Sequence, residues 1–520
     1  MVQSYTEDFQ VVWRDPADAE LHWSWDKFHG PRPVPPLAAD IGARTTERVF
    51  NGRSIYLNGY AYTTGWTLPG PTPEVLERGA VNVWENDYAP LIREACRRLR
   101  SVDYDSMSAA DLAGSLDQLV TDACDAFRHT FFVVIGFFIP TNLLADFCEQ
   151  ELGPDGTQLA VTMLQGFDNE SAEAGAGLGE LAAEAARLPD VAAAIRDRRY
   201  DDLASVKGGP DFLERFHAYL DEYGWRVDNW GLLHVPTWTE NPRTPLMLIG
   251  RYLSDDQSSP AAAMKRSNEQ REEASQEIKA RLSGEKLARF DELLGACRAH
   301  VSISEGRAFW QLTIDGSLRV PILALGRKLV AAGVIEEPND IFFLSDEEVQ
   351  EAARGPSGSL REAVKTRKAD LQRWEQMSPR PFVGAPPPPS PMPPEIQRGI
   401  ARFYGSDVGP SSEDNVIKGH GASRGVVKGR ARVLVELAQA ERLQQGEILV
   451  CRSTAPPWTP LFAIAAGIVT DSGGILSHSA ICAREYGIPC VVGTQIGTEQ
   501  IPDGAMITVD GGEGTVRIEA

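Results

Sequence analysis

Residues 473–493 read GGILSHSAICAREYGIPCVVG, and their reading decides what the C-terminal part of the chain is. Two glycines precede the pair Ser477–His478, and an amphipathic stretch follows. Ser477 is placed to cap a helix, its hydroxyl accepting from an early amide. Ala480, Ile481, Ala483 and Arg484 continue at helical spacing, and Tyr486–Gly487 with Pro489 just beyond supply the stop. A group carried on His478 therefore sits beside unpaired amides and the positive end of the helix dipole, a ready site for an anion such as phosphate. The residues mark His478 as a candidate phosphate carrier.

Outward from this stretch, Arg430 to Val435, Ile448 to Cys451, Gly467 to Thr470, Cys490 to Gly493 and Ala505 to Val509 are short apolar or alternating runs bounded by glycines. They predict strands. His478 then opens a helix that follows the Gly467 to Thr470 strand of an α/β domain.

The segment from Cys451 to Gly493 resembles the phosphohistidine mobile domain of the phosphoenolpyruvate-utilizing enzyme superfamily. The resemblance is carried by Thr470, Gly473–Gly474, Ser477–His478 and Ala483–Arg484–Glu485, with Trp458–Thr459–Pro460–Leu461–Phe462 upstream. Ser479 stands where alanine is more usual. The likeness spans roughly Gly419 to the C-terminus. It implies a swivelling domain with His478 phosphorylated, and with Thr470, Gly473, Gly474, Ser477, Ser479 and Arg484 stabilising the phosphoryl group.

Composition sets the outer limits. A chain of 520 residues predicts two or three domains. Hydrophobic content of 42% and charged content of 24% describe a soluble globular protein. The net charge of −22 argues against nucleic acid or an anionic membrane as partner. The N-terminus MVQSYTEDFQ lacks a basic start and an apolar run, so no leader is expected. The most apolar run, Phe131 to Ile139, is too short to span a bilayer. Seven scattered cysteines without C-x-x-C spacing suggest a reducing cytoplasm, and neither a disulfide framework nor a zinc site.

The clearest boundary is GAPPPPSPMPP, Gly384 to Pro394, where consecutive prolines favour an extended spacer. This gives a body over 1–383, a linker over 384–414 and the carrier domain over 415–520. The body reads as mostly α-helical. Ser108–Ala109–Ala110–Asp111 resembles a capping box, and Leu112, Leu116, Leu119, Ala123 and Phe127 follow at helical spacing. Ile92, Cys96 and Leu99 line another helix. Ser171 to Arg187 and Pro260 to His300 complete the set.

Leu164 to Asn169, Phe212 to Asn241 and Gly326 to Leu344 are similar to the acceptor-binding body of rifampin phosphotransferase-like dikinases. In that group an ATP-grasp domain phosphorylates the histidine, and the carrier then moves to the acceptor. Neither an ATP-grasp unit nor a phosphoenolpyruvate barrel is legible here, so the chain looks like the carrier-and-acceptor subunit of a divided system of the phenylphosphate synthase kind. That likeness implies a separate ATP-grasp partner holding ATP and Mg2+, no tightly bound cofactor or metal on this chain, and a small phenolic acceptor. Tryptophans in the body offer flat apolar walls for such a ring. Candidates for orienting its hydroxyl and the phosphoryl oxygens are Trp225, Arg226, Glu305, Arg307, His129 and His217. Trp225 stands where the group often carries a histidine. The alternatives are a relay that passes phosphate to another protein, a phosphoenolpyruvate-linked component and a non-catalytic regulator. A pocket lined by aromatics within reach of His478 favours the small-molecule transferase, and a smooth charged face opposite the histidine favours the relay.

Overall fold

The computed structural model describes residues 9–519 except 28, 154–155, 168, 254–259, 356–357, 388–393, 407 and 410. Its packing divides the chain into two compact units. One comprises Met1–Val133, Asn229–Pro236 and Trp310–Pro391; the other comprises Val134–Asp228, Thr237–Phe309 and Met392–Ala520. This cut differs from the three-part division expected from composition.

The first unit holds a sheet that helical periodicity did not foretell. Strands β1 (His22–Trp25), β2 (Arg53–Leu57), β3 (Tyr60–Thr64) and β4 (Phe382–Gly384) pair antiparallel in the order β2-β3-β1-β4. The β2–β3 hairpin turns on Asn58 and Gly59, at φ 48° and 75°. An Asn-Gly pair takes this double left-handed turn at least cost. Trp23, Tyr60 and Tyr62 are fully buried under the sheet. Their polar tips are satisfied: Trp23 Nε1 donates to Asp18 O at 2.8 Å, Tyr60 Oη to Trp374 O at 2.9 Å and Tyr62 Oη to Arg380 O at 2.6 Å. The expected helices of this unit are present as Ala89–Ser101 and Ala109–Phe132. Ser108 caps the latter, accepting from Asp111 N at 3.1 Å.

The second unit contains the carrier sheet. To β5 (Val416–Lys418) and β6 (His420–Ser423) are added β7 (Val426–Val433), β8 (Ile448–Cys451), β9 (Gly467–Thr470), β10 (Cys490–Val492), β11 (Met506–Asp510) and β12 (Thr515–Ile518). The order is β5-β12-β11-β7-β8-β9-β10-β6, with β7 to β10 parallel and the rest antiparallel. Every residue of β8, β9 and β10 is buried, as a parallel strand covered on both faces requires.

Helices Val134–Leu152, Glu170–Ala186, Gly209–Tyr223 and Pro260–Arg281 belong to the same unit. The single helix expected over 260–300 is two. A break at Leu282–Ser283, with Gly284 at φ 55°, ends the first, and the second runs 48 residues from Gly284 to Ala331. The expected linker also contains a helix, Pro394–Tyr404. Most of its proline run, 388–393, lies outside the described residues. Among those residues, the stretch Ala109–Leu152 has the length and hydropathy to cross a bilayer, but it is broken into two helices at Val133.

Candidate phosphohistidine site

The loop from β9 to the helix His478–Tyr486 is built by its glycines and by the linker helix. Gly473 lies at φ 103°, where a side chain is strained. Gly474 is needed for another reason: a Cβ there would stand 2.3 Å from Arg402 O. Close approach lets the linker helix clasp the loop, with Gly474 N donating to Phe403 O at 2.9 Å and Leu476 N to Arg402 O at 2.8 Å. Arg402 in turn pairs with Asp146 at 2.7 Å and Glu149 at 3.0 Å, and Phe403 stacks on Phe138 at 5.2 Å. Behind the loop, Asp471 accepts from Thr498 N at 2.9 Å and from Thr494 Oγ1 at 3.3 Å. Burial pushes its carboxyl up to about 6.

His478 is the first residue of its helix, which ends at Gly487 in the left-handed conformation, as the sequence implies. The imidazole side chain is 9% exposed and held on both nitrogens. Nδ1 lies 3.1 Å from Glu305 Oε2; Nε2 lies 3.2 Å from Thr459 Oγ1 and 3.4 Å from Cys482 Sγ. A carboxylate accepts only, so the neutral ring carries its proton on Nδ1 and leaves the Nε2 lone pair to accept from the Thr459 hydroxyl. Burial raises the Glu305 pKa, but the hydrogen bond and charge of His478 and the charge of Arg307 outweigh it, leaving Glu305 below the usual carboxylate range. The Cys482 thiol is pushed well up by burial and by the charges of Glu485 and Glu305, so it stays protonated. One helical turn on, Glu485 accepts from Gly166 N, and burial with the nearby Glu305 charge raises it to about 7.

The other residues expected to stabilise phosphate lie close by in sequence, some bonded to the protein and some with buried polar atoms unpartnered. Ser477 holds the N-cap position, yet its side chain makes no capping bond and its Oγ is buried without a partner, so the expected cap is corrected. Thr470 Oγ1 donates to Ser472 O at 2.8 Å, and Ser479 Oγ meets Thr454 Oγ1 at 2.8 Å. Arg484 is 4% exposed; Nη1 donates to Ala422 O at 2.7 Å, while Nε and Nη2 are unpartnered.

Of the six acceptor candidates, Glu305 reaches His478 directly. Arg307 acts on Glu305 through charge. Arg226 is buried on the rings of Trp238 and Phe309. Trp225 donates to Asp221 O at 3.0 Å within its own helix end, and His217 is exposed. His129 belongs to the first unit, where Nδ1 meets Asp125 O at 2.6 Å and its ring packs on Tyr88 and Phe132. Thr459 and Cys482 are the partners that sequence reasoning missed. Cys482 lies four residues beyond His478 on its helix, so spacing could have found it.

The first unit has its own cavity, of about 860 Å³ counting its open mouth. Phe50, Phe127, Phe131 and Trp230 give it aromatic walls; Phe50 and Phe131 meet edge to face at 4.8 Å. Tyr56, Asp315, and the pair Asp26–His29, 3.1 Å apart, supply its polar groups. Burial raises the Asp315 carboxyl to about 7, against a hydrogen bond from Gly231 N at 3.1 Å.

Residues 443–514 match the family described as "PEP-utilising enzyme, mobile domain". The chain carries a PEP-utilising mobile domain. Ahead of the mobile domain, residues 129–305 match the rifampicin phosphotransferase fourth domain. Parts of several longer proteins are also similar to the chain. The chain is 30% identical to chondramide synthase of Chondromyces crocatus over 98% of this chain and 14% of that protein. It is 28% identical to an uncharacterized phosphotransferase of Bacillus subtilis, covering 85% of this chain and 53% of the relative. It is 31% identical to rifampicin phosphotransferase of Streptomyces sviceus, covering 72% and 42%. The chain thus spans about half the length of these relatives, or less.

Proposed function

We propose that this chain is the carrier and acceptor part of an ATP-dependent phosphotransferase. His478 takes a phosphoryl group from ATP held with Mg2+ on a partner ATP-grasp subunit, and the mobile domain delivers it to the hydroxyl of a small phenolic acceptor. The observation that carries this reading is the seating of His478. A carboxylate fixes the Nδ1 proton, so Nε2 keeps its lone pair for attack on phosphorus.

In the first half-reaction Nε2 attacks phosphorus and the nucleotide leaves with the electron pair of the broken P–O bond. Mg2+, when bound by nucleotide and partner, offsets the charge of the phosphates. The imidazole keeps its Nδ1 proton against Glu305, whose negative charge stabilises the cationic ring. In the second half-reaction the acceptor hydroxyl gives up its proton to a base or to solvent, its oxygen attacks phosphorus, and the N–P bond breaks with its electron pair returning to Nε2. The aromatic cavity of the first unit suits a flat ring, and Asp315 and the Asp26–His29 pair line the same cavity to orient a hydroxyl. Such a cavity favours a small-molecule acceptor over a protein relay.

The test mixes the full chain with a candidate ATP-grasp partner, labelled ATP and a panel of phenols. Acid-labile label on the wild type and none on His478→Gln supports the carrier. Equal label on both rejects it. Label that transfers to no phenol, but to a second protein, favours the relay.

A further inference from the structure

One buried cation near the histidine has no counter-charge. Arg226 is 4% exposed. Its Nε donates to Tyr223 O at 3.1 Å, and its guanidinium lies 5.3 Å from the Trp238 ring and 5.0 Å from that of Phe309. Nη1 has no hydrogen-bond partner, and among the described residues no carboxylate pairs with Arg226. A buried charge left unpaired is costly, and a native site that keeps one calls for an explanation.

Two further buried donors nearby are also orphaned. Ser171 Oγ and Trp238 Nε1 have no partner, and their residues are 6% and 4% exposed. Ser171, Arg226 and Trp238 line one narrow crevice. Thr459 lines it too, and Thr459 is the residue whose hydroxyl meets His478 Nε2. Three unsatisfied donors, one of them a cation, thus share Thr459 as a neighbour with Nε2 of His478. The space is too narrow to admit a water as it stands, so solvent does not supply the missing acceptor. What matches the donors and the charge is an oxyanion.

We propose that Arg226, Ser171 and Trp238 form the cradle for the phosphoryl oxygens of phosphorylated His478, opened when Thr459 turns away from Nε2. This rests on the reading of His478 as the carrier. The Nε2 lone pair forms the N–P bond, the bond from phosphorus to the donor's leaving group breaks, and that electron pair departs with the leaving group. The Nδ1 proton stays on the side of Glu305. The phosphoryl oxygens then accept from Arg226, Ser171 and Trp238, and their charge balances the guanidinium.

The experiment needs no partner protein. The full chain is treated with phosphoramidate, a small P–N phosphoryl donor, and phosphohistidine is followed by 31P NMR and mass spectrometry. Thermal unfolding is measured before and after. The wild type is expected to label on His478 and to unfold at a higher temperature once labelled. Arg226→Gln is expected to label about tenfold more slowly, the loss of one charge-assisted contact, and to show no thermal gain. Labelling and thermal gain equal to wild type would overturn the cradle while leaving the carrier intact. No label on His478 of the wild type would instead remove the carrier reading, and the cradle with it. Should Arg226→Gln fail to fold, Ser171→Ala and Trp238→Phe each delete one donor while leaving the guanidinium in place. Slower labelling in both supports the cradle, and wild-type behaviour in both overturns it.

Discussion

Around His478 the side chains are polar and bonded in specific pairs, whereas the cavity of the first unit is walled mainly by carbon. In the first place a carboxylate, a hydroxyl and a thiol surround one ring within hydrogen-bonding range. In the second, aromatic faces set the shape, and burial pushes the Asp315 carboxyl toward its neutral form. The difference teaches what each region can handle. A charged group that comes and goes needs fixed dipoles and a defined tautomer. A planar apolar ligand needs surface and one or two orienting contacts.

The largest effect expected from breaking this contrast is at the ring itself. His478→Gln should abolish phosphoryl transfer, a loss of about 10³-fold or more, because no nucleophile remains. Glu305→Gln keeps the shape but accepts less strongly at Nδ1. It should slow labelling of His478 by about 10–100-fold, as losing a carboxylate behind an imidazole commonly does. Labelling kinetics check both. In the aromatic cavity, Phe131→Leu should act on the acceptor alone, raising its KM by about tenfold, or ~1.4 kcal/mol, with labelling of His478 unchanged. A matching loss in labelling would erase the contrast.

Smaller effects test the scaffold. Gly474→Ala places a methyl group against Arg402 O and should cost about 1–3 kcal/mol of stability, as overpacking does, read as a lowered unfolding temperature. Glu485 gives a pH signature. Its folded pKa, about 7, lies above its unfolded value, so the native state holds the extra proton. Stability should therefore fall as pH rises from about 4.5 to about 7 and level off beyond. Asp471 and Asp315, also raised, add to the same slope. Glu485→Gln should flatten part of it in denaturant titrations across that range.

The carrier segment was legible because its signals are local. A glycine pair, a histidine at a helix start and a left-handed stop fall within fifteen residues of one another, and alternating strands lie on either side. The first unit's sheet was harder. Its Asn58–Gly59 turn between RSIYL and YAYTT is a hairpin signal that the surrounding helical periodicity overshadowed. The pairing of β1 with β4 joins segments from opposite ends of that unit's sequence, which no short window can reveal. Glu305 and His478 are each singled out by the sequence, but their pairing is not, because the contact spans 173 positions. Ser477 shows the reverse failure. It has the right residue type at the N-cap, but its hydroxyl is buried without a partner and does not cap.

The clasp on the Gly473–Gly474 loop has a mechanical consequence. The helix Pro394–Tyr404 grips the loop through its last carbonyls and grips the helix Val134–Leu152 through Arg402. A carrier that travels cannot keep both grips. Either the backbone bonds to the loop part and the helix stays behind, or the arginine lets go of Asp146 and Glu149 and rides along as cargo. The first choice loosens the turn beneath the histidine in transit; the second delivers it rigid, with a freed cation at its flank.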